Sequence, residues 1–460
     1  MVLKSKGIVK INSKDDNIIR KYISYLTPLV IIFSSIKLFG YSSSFLFFIP
    51  FLFKRRKEVL DFIKTSTIKQ RFVLIYFIFL ILESLFGAYY IRDLRIIIYW
   101  IPFFMVCIFT YFHNIKTIEN NTFYKENIIN ILYYSSVIYF IFYAIMNIIS
   151  YLYFGNQYDI QNDFWIGSSG AFHASSILLI SLYNKWEKIN FNIKSNYTLT
   201  LIFFISMVAL NDSRLGLLYI LSFTTFTIIK CLSLRKVLNA ILILAIVFNS
   251  YSLSSKIIQP LNKYFNNTLI FTETNIFKNF KYRNIFKDLS NMANDGFNTK
   301  KVLSKDKKLT GNDSRFLEII IGLDKFQNTP LVNKMIGTGW YSSRITINSS
   351  RNRILDEYKE LKHISLQKQE VVQMQGIVAI LLDTGILGLF FILGLYLISF
   401  LEIFNLRNNF IYKLFISSML FFNFFCLFIG YPLVNLAFIL FLLPDGLLHN
   451  LSKINIRKSN

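Results

Sequence analysis

The chain has 460 residues, of which 54% are hydrophobic and only 17% are charged, whereas about a quarter of a typical soluble domain is charged. This composition argues against a soluble enzyme. The net charge of +24 does not indicate a nucleic-acid partner either, because the Lys and Arg residues punctuate apolar runs. All three cysteines lie in or beside apolar runs, so the polar part of the chain has no disulfide framework.

Apolar runs recur along the chain at lengths that suit membrane spans. A spanning helix needs about 20 mostly apolar residues, and roughly twelve candidates are present. They lie approximately at 22–38, 41–53, 72–90, 96–111, 128–152, 171–184, 197–211, 214–229, 237–254, 384–404, 414–430 and 432–448. The basic N-terminus is followed by many further runs and by no clear cleavage site, which predicts a retained first span and not a signal peptide.

The positions of the basic residues orient these spans. The first 21 residues contain six Lys or Arg and residues 54–71 contain seven, whereas the 153–170 loop contains none. Short positively charged loops stay in the cytoplasm, so the counts predict twelve spans with both termini cytoplasmic. The long 255–372 segment then lies outside the membrane, and its 20 basic residues do not conflict with this because long loops are exempt from the rule.

The expected fold is therefore an all-α polytopic membrane protein with three parts. Residues 1–254 form an N-terminal bundle of about nine spans, residues 255–372 form a large extracytoplasmic loop domain, and residues 373–460 form the C-terminal spans. Amphipathic stretches such as 316–326 predict helices within the loop domain. Glu83, in the third span, is expected to face the bundle interior, with Arg92 and Arg95 as candidate partners.

Two short polar motifs contain an arginine beside an apolar run. Asn211-Asp212-Ser213-Arg214-Leu215-Gly216 separates two spans at the outer membrane boundary, where Arg214 is either an interfacial residue or an anchor for an anion. Gly311-Asn312-Asp313-Ser314-Arg315-Phe316 has several helix-capping residues, and Arg315 precedes an amphipathic stretch.

Two glycine motifs follow. Gly337-Thr338-Gly339-Trp340 predicts a tight backbone turn that could lie near a ligand. Asp383-Thr384-Gly385-Ile386-Leu387-Gly388-Leu389 opens the tenth span, and small residues there favour close helix packing in lipid.

Taken in this order, the four motifs resemble the O-antigen polymerase and O-antigen ligase superfamily of membrane glycosyltransferases. The segment Gly167-Ser168-Ser169-Gly170-Ala171-Phe172-His173-Ala174 also looks like the first outer loop of that family, so the resemblance covers roughly residues 150–400. It implies a GT-C-like fold of about twelve helices in the bacterial inner membrane. It also implies that the partners are a glycan on undecaprenyl diphosphate and membrane lipid, with a flippase and a chain-length regulator as further candidates.

The resemblance also implies roles for individual residues. Arg214 and Arg315 would bind the diphosphate, since guanidinium groups fork onto phosphate oxygens. The other substrate-binding candidates are Ser213, Gly337, Gly339, Trp340, Gln373 and Gln375. No Asp-x-Asp signature stands in the outer loops, so neither a metal nor another cofactor is expected.

One departure from the family leaves the general base open. Ligases of this family usually carry a His-Asn pair shortly before the tenth span, where this chain reads Gln373-Met374-Gln375-Gly376. The remaining catalytic candidates are His363, Glu370 and His173, although His363 could simply be solvated and His173 could be a helix-packing residue. The missing histidine favours a polymerase of lipid-linked repeat units over a ligase that transfers glycan to the lipid A core. A transporter or flippase of lipid-linked sugars is the alternative from another class.

Overall fold

The computed structural model describes part of the chain. The described residues are 37–38, 41–42, 66–98, 100–105, 108, 130–145 with gaps, 168–185, 196–210, 214–231, 319–347 with gaps, 350, 376–406 and 410–429. Only the backbone is described for 37–38, 41–42, 168–175, 206–210, 214–217, 231, 344–345, 425–426 and 428–429.

The described part is helical, apart from one antiparallel pair of two-residue strands, β1 (Lys37–Leu38) and β2 (Tyr41–Ser42). The helices are α1 (Ile68–Ile91), α2 (Ser168–Asn184), α3 (Asn196–Leu210), α4 (Arg214–Cys231), α5 (Leu331–Ile336), α6 (Ser343–Thr346), α7 (Gly376–Phe404) and α8 (Phe410–Ile429). A further helical segment covers Arg95–Met105. The expected helical class is thus confirmed for these residues.

Helix α1 has clear signals at both ends. The Thr67 hydroxyl accepts the Gln70 backbone N–H at 3.3 Å, and the Gln70 side chain accepts the Thr67 N–H at 2.8 Å, which completes a capping box. The helix ends at Arg92, whose left-handed φ of 55° brings its N–H to the last carbonyls. The boundaries agree with the predicted third span to within a few residues.

Helices α1 and α7 are long and apolar enough to cross a membrane. At 1.5 Å per residue, the 24 residues of α1 extend about 36 Å, whereas the 29 residues of α7 include one non-helical residue, Gly385. Their exposed positions hold large apolar side chains, whereas Glu83, Asp383 and Glu402 are buried. This distribution is the opposite of that on a soluble protein and suits a helix surrounded by lipid. Shorter apolar helical stretches overlap the predicted fourth, seventh, eighth and eleventh spans.

Helices α1 and α7 pack antiparallel. Near one end Lys69 of α1 pairs with Glu402 of α7, and further along Phe72, Tyr76 and Phe79 surround the Phe391 ring. The antiparallel packing agrees with the opposite directions predicted for the third and tenth spans.

A second group of helices packs through rings and hydroxyl groups. Tyr183 of α2 stacks on Phe415 of α8 with ring centroids 4.5 Å apart. Ser222 of α4 and Ser418 of α8 share a hydrogen bond of 2.5 Å. The Tyr396 hydroxyl of α7 donates to the side chain of Asn423 on α8 at 2.8 Å, which joins this group to the α1–α7 pair.

Candidate functional site

The Gly337–Trp340 turn lies between α1 and α7 and binds the backbone of both. Three backbone N–H groups of the turn donate to helix carbonyls: Thr338 to Leu382 (3.0 Å), Gly339 to Asp383 (2.9 Å) and Trp340 to Glu83 (2.8 Å). Two sequence motifs, the Gly-x-Gly-Trp turn and the start of the tenth span, are therefore in direct contact. We refer to Glu83, Gly87, 337–343 and 383–385 as the helix–turn junction.

A break in α7 explains why its carbonyls can accept these bonds. Gly385 has φ 65° and ψ −166°, which interrupts the helical repeat inside the apolar run. Carbonyls that precede such a break lose their usual partners four residues ahead, and buried carbonyls need replacements. The turn supplies them at Leu382 and Asp383. The sequence predicts the tenth span from residue 384, whereas α7 begins at Gly376 and continues past the break.

Glycines allow the close approach of the turn to both helices. Gly337 and Gly339 have φ values of 90° and 95°, which side-chain-bearing residues rarely adopt. A Cβ atom on Gly339 would overlap the backbone of Gly87 in α1, and one on Gly337 would overlap the backbone of Asp383 in α7. The described neighbours of these glycines are helix backbone, and their role in substrate binding stays a prediction.

Trp340 anchors the turn in the protein core. Its side chain is only 2% exposed, and its ring meets Phe104 edge to face at 5.3 Å and Trp100 at 5.9 Å. The next residue, Tyr341, holds a positive φ of 72° and packs on Trp100 as well. The aromatic contacts fix where the turn sits, and a sugar-lining role for Trp340 stays a prediction.

Two carboxyl groups are buried at the junction. Glu83 is 6% exposed and Asp383 is 5% exposed, and the two groups lie close enough to interact electrostatically. Asp383 Oδ1 accepts the backbone N–H of Ser343, the first residue of α6, at 2.7 Å. Glu83 Oε2 and the Ser343 hydroxyl are buried and have no hydrogen-bond partner among the residues that the structure describes.

The predicted interior position of Glu83 is confirmed, but its predicted ion pair is wrong. Arg95 binds Asp93 instead, with its Nε 2.9 Å from Oδ1 and its Nη2 2.8 Å from Oδ2. Asp93 follows the C-cap residue of α1, and the hydrogen bond from Arg95 lowers the pKa of the Asp93 carboxyl. Arg92 serves as the C-cap of α1.

A buried cation lies elsewhere, at the end of α2. Lys185 donates to the Asn130 side chain and to the Tyr197 hydroxyl, the latter at 3.0 Å. Its ammonium group also lies 5.0 Å from the Tyr197 ring centroid and 5.8 Å from that of Tyr133. The described partners of the ammonium are thus all uncharged, and no local sequence pattern indicates this arrangement.

The remaining predicted site residues fall largely outside the described part. Arg214 begins α4 and His173 lies in α2, and these two helices pack together, although neither side chain is described. Six candidates lie outside the described residues: Ser213, Arg315, His363, Glu370, Gln373 and Gln375. The convergence of Arg214 and Arg315 on one diphosphate therefore stays a prediction.

Sequence reasoning missed the junction as a unit. Glu83 could be singled out as a carboxyl group within an apolar run, and Asp383 as a carboxyl group two residues before a glycine. Their closeness depends on a turn that lies far from both along the chain. In the part of the chain that the structure describes, no three His, Cys, Asp or Glu side chains converge on one point, so no transition-metal centre is formed there.

No protein-family model, curated protein or solved structure matches this chain. The functional argument accordingly depends on the motifs and on the geometry that brings two of them together.

Proposed function

We propose that this chain is a multi-pass membrane glycosyltransferase that polymerises oligosaccharide repeat units carried on undecaprenyl diphosphate. In this reaction a growing glycan is transferred from its lipid diphosphate to the non-reducing end of the next lipid-linked unit. The product is a surface polysaccharide such as an O-antigen or a capsule.

One observation carries the proposal, namely the contact between the Gly337–Trp340 turn and the start of the tenth span. These two motifs belong to the set that resembles the polymerase and ligase superfamily, and about 40 residues separate them in sequence. Backbone hydrogen bonds from Thr338 and Gly339 join them at the broken helix. A site assembled from an outer loop and a span end requires such a contact.

The proposed chemistry needs two positive charges and one base. Arg214 and Arg315 would hold the diphosphate, and their permanent charge would stabilise it as a leaving group at a low-dielectric boundary. The acceptor hydroxyl oxygen attacks the anomeric carbon, and the bond from that carbon to the diphosphate oxygen breaks. The electron pair leaves with undecaprenyl diphosphate, while the hydroxyl proton passes to His363, Glu370 or His173.

The proposed topology places the protein in the bacterial cytoplasmic membrane with both termini inside. Two apolar helices that bury their carboxyl groups and expose apolar side chains support residence in lipid. Single cysteines at Asn312 and at Ser459, treated with an impermeant thiol reagent in intact cells, test the topology in a chain without its native cysteines. We expect labelling at position 312 alone, and labelling at 459 alone would contradict the topology.

The interruption of α7 favours a second candidate, a transporter of lipid-linked sugars. Broken spans in transporters place backbone groups near the middle of the membrane, and Gly385 creates such a break. The superfamily motifs favour the polymerase over this alternative, and over the ligase of the same class.

Gel banding of polysaccharide from a deletion strain separates these functions. Loss of a polymerase should leave single repeat units on lipid or core and no long chains. Loss of the ligase should leave long chains that fail to reach the core, and loss of a transporter should trap single units on the cytoplasmic leaflet. Long core-linked chains in the deletion strain would contradict all three.

Arginine variants test whether the loss of long polysaccharide chains in the deletion strain depends on the proposed diphosphate-binding residue Arg315. Complementation with Arg315→Ala should reproduce the deletion, since loss of a preorganised charge partner costs on the order of 3 kcal/mol in the transition state. Arg315→Lys should also fail, because an ammonium group cannot fork onto phosphate. Arg351→Ala, in the same outer segment but outside the motif, is the matched control and should restore long chains.

A further inference from the structure

The buried ammonium group of Lys185 has hydrogen-bond partners but no balancing negative charge among the described residues. Lys185 is 9% exposed, and no described carboxyl group forms an ion pair with it. Two of its three N–H donors bind the Asn130 side chain and the Tyr197 hydroxyl, and no described acceptor receives the third. Buried lysines are rarely unpaired, because an ammonium group loses its hydration when it leaves water. The arrangement therefore suits an anion beside Lys185.

The ammonium group is held against the first turn of α3. Tyr197 is the second residue of that helix, and the Lys185 Nζ lies 3.0 Å from its hydroxyl oxygen. The Tyr133 hydroxyl lies 3.2 Å from the carbonyl oxygen of Asn196, the first residue of α3. The Tyr133 and Tyr197 ring centroids are 5.0 Å apart, and the ammonium group packs on both rings. Three separate segments of the chain thus meet at one point.

The start of a helix favours an anion for its own reasons. Its first four backbone N–H groups have no partner within the helix, and its N-terminus has a partial positive charge of about half a unit. Lys185 directly follows α2, whose C-terminus has a partial negative charge of similar size, so the two helix ends offset each other and the ammonium charge remains. In the same turn of α3, the Thr198 hydroxyl is buried without a hydrogen-bond partner among the described residues, which is typical where a ligand or water is missing.

The surface beside this point is apolar. Tyr134 and Ile138, in the helical stretch within 130–145, and Leu199 of α3 all have exposed side chains. Hydrocarbon chains pack on such a surface, whereas a free phosphate ion gains nothing from it. In the proposed topology the end of α2 and the start of α3 face the cytoplasm, at the level of the lipid headgroups. An anionic phospholipid supplies both the charge and the hydrocarbon.

We propose that Lys185, Tyr197 and the first turn of α3 bind the phosphate group of one anionic phospholipid in the cytoplasmic leaflet. The ammonium group donates its third N–H to a phosphate oxygen, and the Tyr197 hydroxyl, which accepts from Lys185, donates its own proton to the same group. The acyl chains lie along the exposed apolar side chains nearby. The choice of leaflet rests on the proposed topology, whereas the binding itself does not depend on glycosyl transfer.

Thermal unfolding of the purified full-length protein in an uncharged detergent tests the site. Added phosphatidylglycerol should raise the Tm of the wild type by an amount that increases with the logarithm of the lipid concentration above the dissociation constant. Phosphatidylcholine, which has no net charge, should give a much smaller rise. Sodium phosphate supplies the same group without hydrocarbon and should also give a much smaller rise. Native mass spectrometry should find one phosphatidylglycerol molecule retained per wild-type chain.

Variants of the site separate it from general attraction between positive charge and anionic lipid. Lys185→Met should weaken the binding of phosphatidylglycerol roughly tenfold or more, because it removes a hydrogen bond from a charged donor. Lys185→Arg should keep most of the affinity, and Tyr197→Phe should lose part of it. Lys230→Met is the matched control and should keep the full affinity, since Lys230 is exposed and lies 4.7 Å from the ring of Tyr183 instead.

Four outcomes would overturn the proposal. Equal affinity in Lys185→Met and the wild type, or an equal loss in Lys230→Met, would mean that the lipid responds to overall charge. A rise in Tm with sodium phosphate and none with phosphatidylglycerol would reject lipid as the source of the phosphate. If Lys185→Met cannot be purified, an unchanged affinity in Tyr197→Phe would contradict the site. If no ligand affects the wild type, the chain or water balances Lys185, and a loss of stability in Glu187→Gln would identify the nearest carboxyl group along the sequence as its partner.

Discussion

Two regions of the described structure bury charge in different ways. At the end of α2, the Lys185 ammonium has an amide oxygen, a phenol oxygen and two ring faces around it. At the helix–turn junction, Glu83 Oε2 has no hydrogen-bond partner among the described residues, and the charged group that interacts with Glu83 is another carboxyl, that of Asp383. At the first site, described residues of the chain accept hydrogen bonds from the ammonium, whereas the described residues leave Glu83 Oε2 unsatisfied at the second. A buried charge indicates function more strongly when its own chain leaves it unsatisfied.

The largest expected loss of stability comes from a substitution that displaces the Gly337–Trp340 turn from the helix–turn junction. Gly339→Ala places a Cβ atom against the Gly87 backbone and imposes a strained φ of 95°. Left-handed strain alone costs about 1–3 kcal/mol, and overlap with backbone adds to it, so a total of about 4 kcal/mol or loss of folded protein is expected. Chemical unfolding or yield of detergent-stable protein measures this.

Gly394→Ala is the matched control for that prediction. Gly394 lies in the same helix pair, but its added Cβ would meet only the ring of Phe72, which can move. We expect a cost of about 1 kcal/mol. If the two glycine variants were equally stable, the backbone contact between the turn and α1 could not be as described.

The junction also separates what the sequence could predict from what it could not. Long apolar runs gave the positions of α1 and α7 to within a few residues at most ends, because span length follows from membrane thickness. The interior position of Glu83 followed from the cost of exposing a carboxyl group to lipid. The start of α7 was placed too late, because Asp383 and Gly385 look like a span boundary although the helix resumes after the break.

The contact between Gly87 and Gly339 could not be predicted, since about 250 residues separate them and no periodicity links them. Backbone-to-backbone approach leaves no side-chain pattern in a single sequence. The same holds for Lys185, whose partners Asn130 and Tyr197 come from separate segments. For α1 and α7, sequence therefore predicts the position of the helix well and its polar contacts with other segments poorly.

An intermediate loss of unfolding free energy is expected on substitution of Lys185, whose buried ammonium already has hydrogen-bond partners. Lys185→Met removes two hydrogen bonds from a charged donor and two cation–π contacts, partly offset by the relief of desolvation. The variant should lose about 2 kcal/mol of unfolding free energy, measured by urea titration in detergent. Lys185→Arg retains the charge and should lose less. A Met variant as stable as the wild type would show that the ammonium contributes nothing despite its partners.

A smaller change in the unfolding free energy, of opposite sign, is expected on substitution of Glu83. Glu83→Gln should raise the unfolding free energy by about 1 kcal/mol, because it removes the repulsion from Asp383 and keeps the shape of the side chain. The same titration compares it directly with Lys185→Met. A loss of 2 kcal/mol or more in Glu83→Gln would indicate a partner for Glu83 that its described neighbours do not supply, and the contrast between the two sites would then disappear.

The smallest effect is expected at the exposed pair that follows α1. Arg95 is 74% exposed, so its bond to Asp93 should contribute about half a kcal/mol after screening by solvent. Because Arg95 lowers the pKa of Asp93 below its ordinary value of 3.8, this contribution is fully present above that value and is lost as the pH falls through the lowered pKa. Arg95→Ala should therefore unfold at a slightly lower temperature than the wild type at pH 7, and the difference in Tm should vanish in strong acid. Measuring the Tm of both proteins from pH 7 down to pH 2 tests this.

The same Tm measurements in low and in high salt provide a second test. The Tm difference between Arg95→Ala and the wild type should become smaller in high salt, because an exposed ion pair is screened. High salt should leave the Tm difference between Lys185→Met and the wild type nearly unchanged. If the Tm difference between Arg95→Ala and the wild type persisted in acid, the Arg95 side chain would stabilise the end of α1 by packing and not by its charge.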